Sequence, residues 1–96
     1  MAIFTDIGTL IVSTPEICGG RPRIAGHRIT VELIAVEHKA GITPEEIVKE
    51  RPQLTLAQVH AALAYYYANQ AEIDASIAAE EAEWERLKAE DKAGKL

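Results

Sequence analysis

The 96-residue chain has few of the residues that mark secreted, membrane-spanning or disulfide-stabilised proteins. Its single cysteine, Cys18, cannot form an internal disulfide, and this fits a reducing cytoplasm. No apolar run approaches the roughly 20 residues that a membrane-spanning helix needs. Residues 1–11 contain Asp6 and no basic stretch, so we do not expect a secretory signal there. We therefore expect one cytoplasmic domain with no membrane partner.

The chain also lacks a group of residues that could carry catalysis. The candidate nucleophiles and bases are scattered, namely Ser13, Ser76, Cys18, His27, His38 and His60. None of the nucleophiles has a predicted base with an orienting partner, and the three histidines lie on different predicted elements. Cys18 and His27 offer two metal ligands at most, whereas a structural zinc site needs four. We expect no enzyme activity, no metal and no cofactor.

Aromatic residues make up 5% of the chain and hydrophobic residues 48%, with many Ala and Ile side chains. Such a composition favours helical packing over a β-sandwich. The β-branched residues 9–13 stop at a Thr-Pro pair and predict a short strand. Arg23-Ile24-Ala25 predicts a second strand, with Gly19-Gly20 turning the chain between the two. The N-terminal part, residues 1–29, is thus predicted to be a β-arm or hairpin.

Three helix starts follow in residues 30–70. Thr30 can cap a first helix that ends near Gly41. Thr43-Pro44-Glu45-Glu46 combines a capping threonine, a proline in the first turn and a glutamate three residues after the cap. That helix must end around residues 50–51 because Pro52 disfavours helical geometry in the residue before it. Thr55 can cap a third helix, so the spacing predicts a tri-helical core whose last pair forms a helix-turn-helix.

The third helix shows no stop signal before Gly94. Apolar residues recur in alternating steps of three and four from Leu56 onward, which predicts one long amphipathic helix from Thr55 to about Lys92. A domain this small cannot bury the whole apolar seam of such a helix. We therefore expect residues 71–96 to be an acidic helical tail whose seam binds a partner. The side chains predicted to make that contact are Ile73, Ile77, Trp84 and Leu87.

Charge is unevenly distributed along a chain whose net charge is −5. Residues 18–31 hold Arg21, Arg23 and Arg28 and no acid, whereas residues 61–96 hold eight acids and four bases. The three arginines could contact DNA phosphates, or they could be solvated or pair with acids such as Glu16, Glu32 and Glu37. The complete predicted DNA-binding set is Arg21, Arg23, Arg28, Lys49, Arg51, Thr55 and Gln58. Because the third helix has no basic residue before Arg86, DNA binding would require a homodimer.

Residues 15–29 (PEICGGRPRIAGHRI), 41–47 (GITPEEI) and 52–55 (PQLT) closely resemble the bacterial family called domain of unknown function 433, or DUF433. The chain departs from the family pattern at His27, where threonine is usual, and at Thr30, where proline is common. The resemblance implies a VapB-like antitoxin with a homeodomain-like tri-helical core. It also implies a PIN-like ribonuclease toxin as the partner.

Three functions are compatible with these patterns. The first is the antitoxin of a bacterial type II toxin–antitoxin pair, which binds a PIN-like toxin through the C-terminal helix and operator DNA as a dimer. The second is a DNA-binding transcriptional regulator without a toxin. The third is a homo-oligomeric interaction module that binds no nucleic acid. A helix-turn-helix does not by itself decide among them.

Overall fold

A small antiparallel hairpin precedes the helices in the computed structural model, which describes residues 7–92. Strand β1 (Ile11–Val12) pairs with β2 (Arg23–Ile24), so that Ile11 lies opposite Ile24 and Val12 opposite Arg23. Between the strands, a short 3-10 turn contains Gly19 and Gly20 at φ values of +66° and +80°. Glycine adopts this left-handed backbone region without a steric penalty. The predicted hairpin is confirmed within the described residues, whereas residues 1–6 of the predicted β-arm and residues 93–96 of the predicted tail lie outside them.

Four helices follow the hairpin, and the predicted mainly helical fold is confirmed. They are α1 (Val31–Lys39), α2 (Pro44–Glu50), α3 (Leu56–Ala68) and α4 (Gln70–Lys92). Helix α3 contacts both α1 and α2, while α4 contacts α1 and α3. None of the helices in this part of the chain has the apolar length that a membrane crossing requires.

The first three helices each begin at a threonine, as predicted. The Oγ1 of Thr30 accepts a hydrogen bond from the Leu33 N–H at 3.1 Å. Thr43 and Thr55 each form a reciprocal capping box with the residue three positions later, Glu46 and Gln58 respectively. These bonds satisfy N–H groups that would otherwise lack a partner at the helix start. The starts of α1, α2 and α3 are therefore encoded locally.

The prediction of one continuous helix from Thr55 to about Lys92 is wrong, because the helix breaks at Asn69. Asn69 has φ −130° and ψ 32°, and its side-chain Nδ2 donates to the Tyr65 carbonyl at 3.1 Å. An asparagine side chain that bonds nearby backbone in this way competes with helical hydrogen bonding. The break gives α4 a direction of its own, which brings its first turns against α1.

The hydrophobic core joins the hairpin to all four helices. Its members include Ile24, Val31, Ile34, Ala35, Ile47, Leu54, Val59, Ala62, Leu63, Tyr66, Ile73 and Ile77. Helix α4 supplies Ile73 and Ile77, which are 8% and 6% exposed. Beyond Ile77 the described residues of α4 are all exposed or half-buried. The helix is about 35 Å long at 1.5 Å per residue, and the molecule measures 64 Å along its longest axis against 29 and 24 Å along the others.

Because Ile77 is buried and Trp84 is exposed, truncating these two side chains of α4 should have unequal effects on the stability of the fold. Ile77→Ala removes a buried side chain and should lower the free energy of unfolding by about 2–4 kcal/mol. Trp84→Ala, although it removes a larger side chain, should change it by less than about 0.5 kcal/mol because Trp84 is 62% exposed. Urea denaturation followed by circular dichroism measures both. A cost for Trp84→Ala equal to that for Ile77→Ala would contradict the described packing.

Candidate partner-binding surface

The first turns of α4 are held on the core by hydrogen bonds and ion pairs as well as by apolar packing. Asp74 accepts a hydrogen bond from the Tyr66 hydroxyl at 2.7 Å and one from the Lys39 Nζ at 3.1 Å. Tyr66 itself is 2% exposed. One carboxylate thereby connects α4 to both α3 and α1.

A second polar cluster lies further along α4. The Ser76 hydroxyl donates to Glu32 Oε1 at 2.5 Å, and Arg21 forms ion pairs with Glu32, at 3.5 Å, and with Glu80. Arg21 therefore connects the loop before β2 to α1 and α4. Among the described residues of α4, Glu80 is the one nearest the C-terminus whose side chain forms an ion pair or hydrogen bond with another part of the chain.

Contacts in these two clusters shift the pKa values of three carboxyl groups. Hydrogen bonds from Tyr66 and then from Lys39 hold the pKa of the Asp74 carboxyl below its usual range. Burial, and next the hydrogen bond with Glu80, raise the pKa of Glu32. The contact with Glu32 lowers the pKa of Glu80.

Residues 81–92, which we call the α4 extension, lie beyond these contacts. Trp84 is 62% exposed, and Leu87, almost one turn later, is half-buried. The sequence of the α4 extension contains five acids and three bases. Arg86 pairs with Glu83 and Glu90 within the helix, so its charge is already compensated. The α4 extension thus combines an exposed aromatic side chain with net negative charge.

The four side chains predicted to bind a partner fall into two groups. Ile73 and Ile77 pack in the domain's own core and are not available to a partner in this arrangement. Trp84 and Leu87 lie on the α4 extension, where neither belongs to that core. The sequence seam continues through all four positions, but the break at Asn69 turns its first half onto α1. Only Trp84 and Leu87 remain accessible for docking.

The residues predicted to bind DNA are mostly engaged within the chain. Arg23, which was expected to contact DNA phosphates, to be solvated or to pair with an acid, is 9% exposed and donates to the His27 carbonyl and the Thr14 hydroxyl. Arg51 Nη1 contacts both carboxylate oxygens of Glu37, at 2.7 and 2.8 Å. The partners of Arg23 lie four and nine positions away in the sequence, and the partner of Arg51 lies fourteen positions away.

The other residues predicted to bind DNA differ in how far their side chains are engaged within the chain. Thr55 and Gln58 use their side chains in the capping box of α3. Arg21 is half exposed but paired with two acids, one of which, Glu32, is among the partners that the sequence suggested. Arg28 and Lys49 are exposed, and neither forms an ion pair with another residue of the described part.

The sequence patterns did not reveal the polar residues that hold the first turns of α4 against α1 and α3. Lys39 and Asp74 are 35 positions apart, and Glu32 and Ser76 are 44 apart, so no local spacing signals either contact. In the sequence, Glu32 resembles an ordinary acid in the first turn of a helix.

Over residues 7–92 no group of three His, Cys, Asp or Glu side chains is arranged to hold a metal ion. Cys18 is a free, half-buried thiol whose Sγ donates to the Arg28 carbonyl at 3.5 Å. The Nε2 of His38 lies 2.5 Å from the Tyr67 hydroxyl.

The chain is similar to proteins of one family. The model described as "Protein of unknown function (DUF433)" matches residues 11–66, more than half of the chain. The crystal structure of a DUF433 member protein from Anabaena variabilis ATCC 29413 is 36% identical with a TM-score of 0.69, and the match covers 73% of this chain and 69% of that one. Among curated proteins, none matches the chain. The family match ends within α3, so all of α4 lies outside it.

The lowered pKa of Asp74 predicts a pH-dependent contribution to stability. A carboxyl whose pKa is lower in the folded state stabilises the fold above its unfolded pKa, and this contribution is lost as pH falls through the folded pKa. Asp74→Asn should therefore lower the melting temperature near pH 7, and its difference from the wild type should shrink as the wild-type carboxyl becomes protonated. Thermal unfolding of both proteins between pH 7 and pH 2 measures this difference.

Glu72→Gln is the matched control, because Glu72 lies in the same turn of α4 and forms no ion pair with a described residue. Its melting temperature should follow that of the wild type at every pH. If the difference in melting temperature between Asp74→Asn and the wild type stayed constant with pH, ionisation of Asp74 would not contribute to the stability of the fold.

Proposed function

We propose that this chain, which belongs to the DUF433 family of proteins of unknown function, is the antitoxin component of a bacterial toxin–antitoxin pair. The observation that carries the proposal is the α4 extension, which presents Trp84 and Leu87 beyond the domain's own core. An amphipathic helix of this kind binds by laying its apolar side chains into a groove on a partner. The remainder of the chain acts as the scaffold that holds the helix.

The charge of the α4 extension indicates the kind of partner. Five acids against three bases suit a basic surface, such as the RNA-binding site of a ribonuclease. A helix docked there would cover the site and block access of RNA. The family resemblance of the sequence adds the expectation of a PIN-like ribonuclease. We therefore propose inhibition by occlusion of the active site.

The exposed tryptophan is suited to be the main contact. Tryptophan is enriched among the few interface residues that dominate binding energy, because it buries a large area with little loss of conformational freedom. Leu87 lies three positions after Trp84, which places both on one side of α4. The acidic side chains around them would make the polar rim and raise the association rate.

The binding test uses the full chain and the PIN-like protein encoded by the adjacent gene. Trp84→Ala with Leu87→Ala should weaken binding on the order of 100-fold, a loss typical of removing central interface side chains. Inhibition of the ribonuclease should be lost in parallel. Isothermal titration calorimetry and an RNA cleavage assay measure the two effects.

Glu85→Ala is the matched control, since it truncates a neighbouring exposed side chain of the α4 extension without touching the apolar pair. It should change affinity less than about fivefold. Unchanged affinity of the Trp84, Leu87 double variant would refute the proposed docking side. Association of the chain only with a second copy of itself would favour a homo-oligomeric module instead.

We propose operator DNA as a second ligand, bound by a homodimer through a homeodomain-like arrangement of α1 to α3. Two observations support it. Helices α2 and α3 contact each other across a short link of residues 51–55. Arg28 and Lys49 are exposed, and neither forms an ion pair with an acid of the described residues. Because so few cations are free, each copy makes few phosphate contacts and affinity depends on dimerisation.

The DNA proposal predicts a measurable contribution from Lys49. A gel-shift assay with the duplex upstream of the gene should give a log K against log salt plot whose slope becomes less steep by about one in Lys49→Ala. Arg86→Ala is the control and should leave the slope unchanged, because Arg86 is paired within α4. Equal slopes for Lys49→Ala and the wild type would exclude Lys49 from the DNA contact.

A further inference from the structure

A cavity of about 290 Å³ adjoins the turn that follows β2, on the hairpin and away from the α4 extension. Its walls are formed by Ile17, Arg23, Gly26, His27 and Arg28. The turn itself is closed by a hydrogen bond from the His27 N–H to the Ile24 carbonyl at 3.0 Å. Gly26 has φ +81°, a value that glycine adopts readily and that lets the chain reverse within four residues.

Arg23 is the most deeply buried member of this cavity wall. Its Nη1 donates to the His27 carbonyl and its Nη2 to the Thr14 hydroxyl, both at 3.0 Å. Its Nε is buried and has no hydrogen-bond partner. Buried donors in proteins are nearly always paired, so an unpaired guanidinium N–H indicates an acceptor that is not part of the chain.

The charge of Arg23 is also uncompensated. Its hydrogen bonds go to neutral oxygens, and neither Arg23 nor Arg28 forms an ion pair with any residue in 7–92. Arg21, by contrast, is neutralised by two glutamates outside this cavity. In a chain of net charge −5, the cavity therefore holds two guanidinium groups without a carboxylate. Such a local positive site attracts anions.

We propose that this cavity binds a phosphate group, held by the Arg23 guanidinium in its wall and by the exposed guanidinium of Arg28. Arginine suits this role because its charged N–H groups form short, strong hydrogen bonds to phosphate oxygens. The phosphate is either a free small anion or part of a nucleic-acid backbone. The site is separate from the α4 extension and does not depend on the proposed antitoxin function.

Nuclear magnetic resonance of the full-length chain tests the site with inorganic phosphate as the probe. Phosphate replaces chloride at constant ionic strength and pH, and the Arg23 Nε–H and the backbone amides of residues 26–28 are followed. We expect saturable shifts at these positions. A phosphate-independent Arg23 Nε–H resonance would overturn the proposal, as would shifts that increase linearly without saturation.

Two arginine variants give the matched comparison, because both side chains are exposed and only one lines the cavity. Arg28→Ala should weaken phosphate binding about fivefold or more, since it removes a charged hydrogen-bond donor. Arg21→Ala should leave the affinity unchanged. An equal loss in both variants would show that phosphate responds only to overall positive charge, and this would also overturn the site.

A short DNA duplex distinguishes the two sources of phosphate. If the site takes a backbone phosphate, the duplex should shift the same resonances at a lower concentration and inorganic phosphate should compete with it. If only inorganic phosphate shifts them, the site binds a small anion. In the second case the site stands without contacting DNA, and the gel-shift assay with Lys49→Ala tests operator binding separately, so the two proposals can fail separately.

Discussion

The direction of α4 depends on the break at Asn69, and most other functional features depend on that direction. An uninterrupted helix would continue along the axis of α3. Since the backbone leaves helical geometry at Asn69, Ile73 and Ile77 enter the core and Asp74 meets the Tyr66 hydroxyl. The same change in direction ends the packed surface at Ile77. Everything after the Glu80 contact therefore lies outside the domain's own packing.

Charge within the chain is used mainly to hold elements together. Arg51 pairs with Glu37, Arg21 pairs with acids on α1 and α4, and Lys39 pairs with Asp74. Exposed ion pairs contribute little to stability by themselves, but each of these connects two different elements of the fold. This internal use of basic residues leaves few cations for nucleic acid. Arg23, Arg28 and Lys49 are exceptions within the described residues, and the hairpin region gathers the first two without an acid.

Local features of the fold could be predicted because they depend on residues a few positions apart. The three threonine caps, the proline after α2 and the glycines of the hairpin each act over one turn, and the structure confirms the elements that they delimit. The candidate site was less predictable. The apolar seam is continuous in the sequence, yet only tertiary contacts separate Ile77 from Trp84. The arginines likewise share one sequence segment although Arg23 is buried and Arg28 is exposed.

The sequence by itself determined the class of elements, the starts of the first three helices, the family and the excess of acid in the C-terminal helix, since composition and short-range hydrogen bonding encode these properties. The tertiary structure decided where the long helix breaks, which half of its seam is free and which arginines keep their charge available. These outcomes depend on pairs such as Glu32 with Ser76 and Lys39 with Asp74, whose members meet only after the chain has folded. No spacing rule links residues that are more than 30 positions apart in sequence.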